Sequence, residues 1–270
     1  MKFQKLDISV FSIVLLTACG SSGGGSGVTN NTPSNNTPSA NTTTSPAFKL
    51  RNLDGTYNLS EAQVDASGRY IISSRMFRVS GNPINVDVTL PSITSNGITT
   101  IVQGANNLTE SIGGTGYSYS RFGMLSQTND IGNSEVFYVG KQTITMPTTG
   151  KITYMGNAVT SGVDWKSVAQ SSNKFTVDFG AKTINGTVGS FGQQSSSAFS
   201  NVIVGDTTLT GKINGSTFSG TTSTPLASKA QPTLSGSFSG AFFGPNAEEL
   251  GGTGNQYAGG RTFSFGAKKQ

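Results

Sequence analysis

From residue 48 onward the chain predicts an all-β protein, and three observations carry that expectation. Short apolar or aromatic runs alternate with period two and are punctuated by Gly, Asn, Ser and Thr, the pattern of half-buried strands joined by tight turns. No window of ten or more residues carries a helical apolar stripe. In "LSGSFSGAFF", Leu234, Gly236, Phe238, Gly240 and Phe242 share one face, while Ser235, Ser237, Ser239, Ala241 and Phe243 share the other. Small residues alternating with large ones along a face fill the tapering interior of a small barrel. An up-and-down barrel also removes exposed sheet edges, which matters for a chain that has no disulfide to brace it.

The first residues, "MKFQKLDISVFSIVLLTAC", read as an export leader. Lys2 and Lys5 precede an apolar run from Ile8 to Leu16 that is too short to span a bilayer as a helix. Leu16-Thr17-Ala18-Cys19 resembles the lipobox of bacterial lipoproteins, which implies a leader over residues 1–18 and acylation of Cys19, the one cysteine in the chain. Gly20 stands where an aspartate would suggest inner-membrane retention, so the resemblance implies an outer-membrane lipid anchor. Several acyl chains hold firmly because each buried methylene adds about 0.8 kcal/mol.

Residues 19–47 then form a tether. "GSSGGGSGVTNNTPSNNTPSANTTTSP" has no charge, no aromatic and one large aliphatic, Val28, so it cannot bury enough apolar surface to offset its ordering entropy. As a flexible coil it spans about 30 Å, with an extended limit of roughly 90 Å.

Two β regions follow. Residues 48–113 offer "GRYIISSRMFRVSG", "PINVDVTLPSI" and "GITTIVQG" as strands of a small N-terminal domain. Residues 114–270 offer nine segments for the barrel, from "GYSYSRFGMLS" and "SEVFYVG" to "TLSGSFSGAFFG" and "GRTFSFGAK". Asn214-Gly215 is a two-residue hairpin candidate.

Composition excludes several functions. The chain has 18 Lys and Arg against 13 Asp and Glu, and removing Lys2, Lys5 and Asp7 with the leader leaves sixteen against twelve. No basic run exceeds Lys268-Lys269, which sets nucleic acid aside and leaves room for a mild attraction to acidic partners or lipid headgroups. There is no histidine, so Ser-His-Asp and Cys-His chemistry and the commonest ligand of zinc and haem iron are gone. Carboxylate-only hydrolysis needs two converging acids. The acids are scattered, and Glu248 and Glu249 are sequence neighbours that an extended strand would send to opposite faces, so no enzyme is expected.

Those two glutamates sit in "SGAFFGPNAEELGG", which reads as a connection between strands. Pro245 presets a turn, Asn246 can bond its own backbone after Gly244, and Gly251 and Gly252 suit the positive φ angles that would end the connection. Residues 247–250 can add one short helical turn with the carboxylates near its positive end, leaving Glu248 and Glu249 facing solvent.

Several of these stretches together resemble a known group. "YVGKQTITMPTTGKITYMGNAV" is similar to the strand pair with a Met-Pro-Thr-x-Gly turn in barrels of transferrin-binding protein B and its relatives. "VDFGAKTINGTV", "LTGKINGSTFSGT", "GAFFGPNAEELGG" and "FSFGAKKQ" follow in that family's order, over roughly residues 117 to 270. With the lipobox and tether, the chain resembles a Slam-dependent surface lipoprotein, a group that includes factor H binding protein and the hemophilins. The resemblance implies an eight-stranded C-terminal barrel, a β-rich handle domain before it, a Slam-type exporter, and a host serum partner such as a complement factor, transferrin or haemoglobin.

Interface anchors are enriched in Arg, Tyr, Phe and Met, which cluster in two places. Arg69, Tyr70, Arg75, Met76, Phe77 and Arg78 form one, and Tyr117, Tyr119, Arg121, Phe122 and Met124 form the other. On a period-two strand about half of each set faces inward. No cofactor is expected; haem, the alternative, would need a tyrosine or methionine such as Tyr70 or Met76 as axial ligand in place of histidine. An adhesive or structural coat protein is a further reading, distinguished by an absence of soluble partners.

Overall fold

A computed structural model describes residues 61–89, 97–103, 108–113, 116–127, 130–161, 168–191, 205–225, 233–256 and 262–270. All lie in one compact unit, Thr43–Gln270. The leader, Cys19 and the tether fall outside the described residues, as do the side chains of Arg75, Met76, Phe77 and Arg78.

The described residues form strands and turns, without helix. Strands β1 (Glu61–Val64), β2 (Tyr70–Val79) and β3 (Asn82–Asp87) make a three-stranded sheet in that order. Strands β4 (Ile98–Gln103), β5 (Leu108–Gly113), β6 (Ser120–Gln127) and β7 (Asp130–Gly140) make a four-stranded meander. The closed barrel holds β8 (Lys151–Ser161), β9 (Val168–Asp178), β10 (Thr183–Val188), β11 (Thr207–Asn214), β12 (Thr217–Pro225), β13 (Thr233–Phe243), β14 (Glu249–Asn255) and β15 (Thr262–Lys269). Each pairs with the next, and β15 closes on β8 with Ser264 opposite Val159 and Lys269 opposite Tyr154.

Period two sets the barrel interior. Thr207, Leu209, Gly211 and Ile213 of β11 point inward and are buried, and their neighbours are exposed. Rings from five strands fill the centre, with Phe175 stacked on Phe265 at 5.1 Å and Phe218 edge-on to Phe242 at 5.2 Å. Phenylalanine from one strand lies over glycine on the next, as Phe265 does over Gly252.

The eight-stranded barrel expected from the resemblance is present, but three details differ from the sequence reading. Strands β6 and β7, assigned there to the barrel, extend the β4–β5 sheet through the β5–β6 pairing, so the break expected at residue 113 falls inside one sheet. The eighth barrel strand is instead β14, where Gly251 and Gly252 lie in an extended ladder opposite Ala241 and Gly240 and have no positive φ. The β11–β12 hairpin turns on Gly215-Ser216, with Asn214 paired to Thr217 and Gly215 at φ +57°, the placement a type II′ turn favours.

The β6–β7 sheet is buried on both faces. Leu125, Phe137 and Val139 pack against Tyr70, Ile72, Val86 and Val88 of the N-terminal sheet. Phe122, Met124, Val136 and Tyr138 pack on the outer wall of the barrel against Val159, Ala241 and Phe243. Adjacent phenylalanines of β13 thus serve different cores, Phe242 inside the barrel and Phe243 outside it.

Candidate partner-binding site

Glu249 opens β14 opposite Phe243, whose side chain faces the outer wall, so its own carboxylate points outward under residues 117–120. There it accepts bonds from the Ser118 amide at 2.5 Å, the Tyr119 amide at 3.1 Å and the Ser120 hydroxyl at 2.7 Å. It is 3% exposed. Burial pushes its pKa above the ordinary carboxylate value, against the pull of those three donors and the nearby Arg121 charge. The solvent-facing glutamate expected here is therefore a buried clasp between barrel and handle.

Arg121 continues the clasp. Its Nη1 donates to the carbonyls of Tyr117 at 2.5 Å and Ser120 at 2.7 Å, and its guanidinium lies 5.6 Å from the Tyr70 ring centroid. The Tyr117 hydroxyl donates to the Gly266 carbonyl at 3.0 Å. The structure brings Tyr70, Tyr117, Tyr119 and Arg121 together, yet Tyr70 and Tyr117 are 4% and 3% exposed. These two residues join layers instead of facing a partner, and Tyr70 could bind haem iron only by leaving that core.

The turn between β13 and β14 is built by its residues reaching back on themselves. Gly244 sits at φ +85°, and a side chain there would meet Glu248 Oε2 at 2.5 Å and Tyr119 Cδ2 at 2.7 Å. Glu248 accepts from the Asn246 amide at 2.9 Å and from its Nδ2 at 3.2 Å. Partial burial opposes its charge, but the Asn246 bonds outweigh it and hold the pKa below the usual value. Ala247, at φ +56°, is buried and its carbonyl accepts from the Tyr154 hydroxyl at 2.6 Å. No helical turn forms, and Pro245 and Asn246 are exposed. Glu248 and Glu249 serve different partners, so they do not face a common substrate as acid and base.

Arg69 is committed to a surface turn. Its Nε bonds Asp65 at 2.8 Å and its Nη1 lies 3.7 Å from Asp87, while Asp65 also accepts the Ser67 and Arg69 amides. The remaining predicted anchors lie where the β2–β3 ladder breaks. Ser73 pairs with Asn85 and Arg78 with Pro83, so residues 74–77 of β2 stand against Ile84 alone. This multi-residue bulge of the β2 backbone carries Arg75, Met76 and Phe77. The hairpin then turns on Ser80 and Gly81, both at positive φ as a type I′ turn requires.

One feature the sequence reading missed is a groove of about 580 Å³ between β1 and the β13–β14 turn, lined by Val64, Tyr119, Lys141, Ile144, Gly244 and Pro245. Ile144 is 84% exposed. Its signal was a lone aliphatic in the otherwise polar stretch "KQTIT". No cluster of three metal-ligating side chains occurs among the described residues.

Residues 146–269 match the family model for the C-lobe and N-lobe beta barrels of Tf-binding protein B. The chain is 32% identical over 181 residues to transferrin-binding protein B of Moraxella catarrhalis, covering 58% of this chain and 24% of that one. It is 28% identical over 310 residues to an uncharacterized protein of Haemophilus influenzae, covering 100% of this chain and 99% of that one. Two solved structures share the fold at a TM-score of 0.50: isotype 1 transferrin binding protein B from serogroup B Neisseria meningitidis, 22% identical over 77% of this chain and 41% of that one, and a double mutant from Haemophilus parasuis Hp5, 24% identical over 79% and 43%. The chain thus spans about a quarter of the Moraxella protein and about two fifths of the solved chains.

Proposed function

We propose that this chain, whose barrel is of the transferrin-binding protein B type, is a surface-exposed outer-membrane lipoprotein that captures a host serum protein. The similarity to transferrin-binding protein B over 58% of the chain carries the reading. Transferrin is accordingly the first candidate, ahead of another iron or haem carrier or a complement regulator. The leader, Cys19 as lipidated residue and the tether over residues 19–47 support display on the cell exterior, with a Slam-type exporter as the route. We place partner contact on the bulged segment Arg75–Arg78, because Tyr70, Tyr117 and Glu249 are occupied in holding the layers together.

Immobilised unit Thr43–Gln270, which holds every described strand and all three apolar cores, should retain one major protein from host serum, with purified transferrin, haemoglobin and factor H tested beside it. The double charge reversal Arg75→Glu/Arg78→Glu should weaken retention at least tenfold with the melting temperature unchanged. Retention of nothing, or equal retention by the reversed variant, would sink the corresponding part of the reading.

A further inference from the structure

One end of the barrel is strongly basic. Lys151 starts β8, Lys182 closes the β9–β10 turn, Lys212 nears the end of β11, Lys268 and Lys269 end β15, and Lys141 precedes β8 beside the β13–β14 turn. The ladders put these positions at one end, since Lys151 and Thr183 both pair with Asp178, Lys212 pairs with Thr183, and Lys268 pairs with Glu249. The Lys141 carbonyl accepts the Gly244 amide at 2.9 Å. All six lysines are exposed, and none is in an ion pair among the described residues. Of the acids at this end, Glu249 is buried against Ser118, Tyr119 and Ser120, and Asp178 and Glu248 are half-buried and committed to the Ala181 and Asn246 amides, although the Lys269 charge is felt at Glu248.

The same end holds the two large apolar residues exposed among the described ones. Ile144 is 84% exposed in the groove wall, and Met155 is 49% exposed opposite Lys268. An exposed aliphatic beside Lys141, at an end that carries five further lysines, suits a surface that is negatively charged above and apolar just beneath. Strand β1 also ends here. Val64 lines the groove, and Glu61 can lie no more than about 10 Å from it along β1.

We propose that this end of the barrel docks on anionic lipid headgroups, with the lysines against the phosphates and Ile144 inserted among them. The surface then has its basic end toward the membrane and the β2–β3 hairpin free for a soluble partner. Docking needs no acyl chain, so it stands or falls separately from serum-protein capture.

Unit Thr43–Gln270, without the anchor, should co-sediment with vesicles of phosphatidylcholine containing about a third phosphatidylglycerol and not with phosphatidylcholine alone. Raising salt from about 0.1 M to about 1 M, which shortens the screening length from roughly 10 to 3 Å, should release it. Each lysine near the surface is worth about fivefold in binding, so Lys182→Glu/Lys268→Glu/Lys269→Glu should weaken it about a hundredfold or more. Ile144→Ser should weaken it several-fold at every salt concentration. No sedimentation with the anionic vesicles, sedimentation equal on neutral ones, or binding unchanged by the triple reversal would overturn the proposal. Capture of an acidic soluble protein in place of vesicles would do the same.

Discussion

Glu249 is a carboxylate placed where the chain gains from its hydrogen bonds and loses from its burial. Removing it strands the Ser118 and Tyr119 amides, and Glu249→Ala should cost about 2 to 4 kcal/mol in urea denaturation. Glu249→Gln keeps the shape but cannot ionise, which makes the titration visible. Because the folded pKa is raised, the folded state holds the proton more tightly than the unfolded chain. Its contribution is fully present below the ordinary value near 4.5 and is lost as pH rises through the folded value. The stability of the parent relative to Glu249→Gln should therefore fall as pH rises from the ordinary carboxylate value through the raised folded one. A difference that stays flat or rises with pH would contradict the cause assigned to the shift. Glu248 has the opposite sign, its contribution being lost as pH falls, so acid and neutral conditions separate two adjacent residues. Neither behaviour was legible in the sequence, because the donors to Glu249 lie about 130 residues upstream.

The β13–β14 connection shows which glycines the backbone conformation demands. Gly244 sits at positive φ with Glu248 and Tyr119 against it, so Gly244→Ala should cost about 1 to 3 kcal/mol. Gly251 is extended, and an added Cβ would meet Phe243 Cε2 at 3.3 Å, a contact that a small ring shift relieves. Gly251→Ala should cost less than Gly244→Ala in the same urea titration, and the reverse order would contradict the strand assignment. Period-two alternation made β11 and β13 readable, since each carries large side chains on its inner face. β14 reads "ELGGTGN", with Leu250 its one large apolar residue. Its buried surface is supplied by neighbours, Phe265 over Gly252 and Phe263 over Gly254, so a strand with almost no side-chain signal passed for a turn. The bulge in β2 was hidden for a related reason: it is set by the pairing with β3, where residues 74–77 stand against Ile84 alone, and no Gly or Pro in "YIISSRMFRV" marks it.

The chain folds as a barrel wall with two sheets layered on it, and the outer layers depend on the barrel more than it depends on them. Inside the closed barrel the core is formed by the barrel's own strands and turns. The handle's second core leans on the wall through Phe122, which lies over Gly266, and through Ser264, whose hydroxyl donates to the Phe137 carbonyl at 2.6 Å and accepts the Gly123 amide at 3.1 Å. With that contact intact, calorimetry should show one transition whose calorimetric and van't Hoff enthalpies agree. Phe122→Ala removes a fully buried ring set against a glycine, where no side chain can move in to fill the space. The expected cost is about 3 to 5 kcal/mol, charged to the layers outside the barrel. The melt should then split, with the handle sheets unfolding first and the barrel persisting to near its original temperature. A single transition shifted as a whole would mean that the barrel cannot stand without its covering layers, and that the dependence runs in both directions.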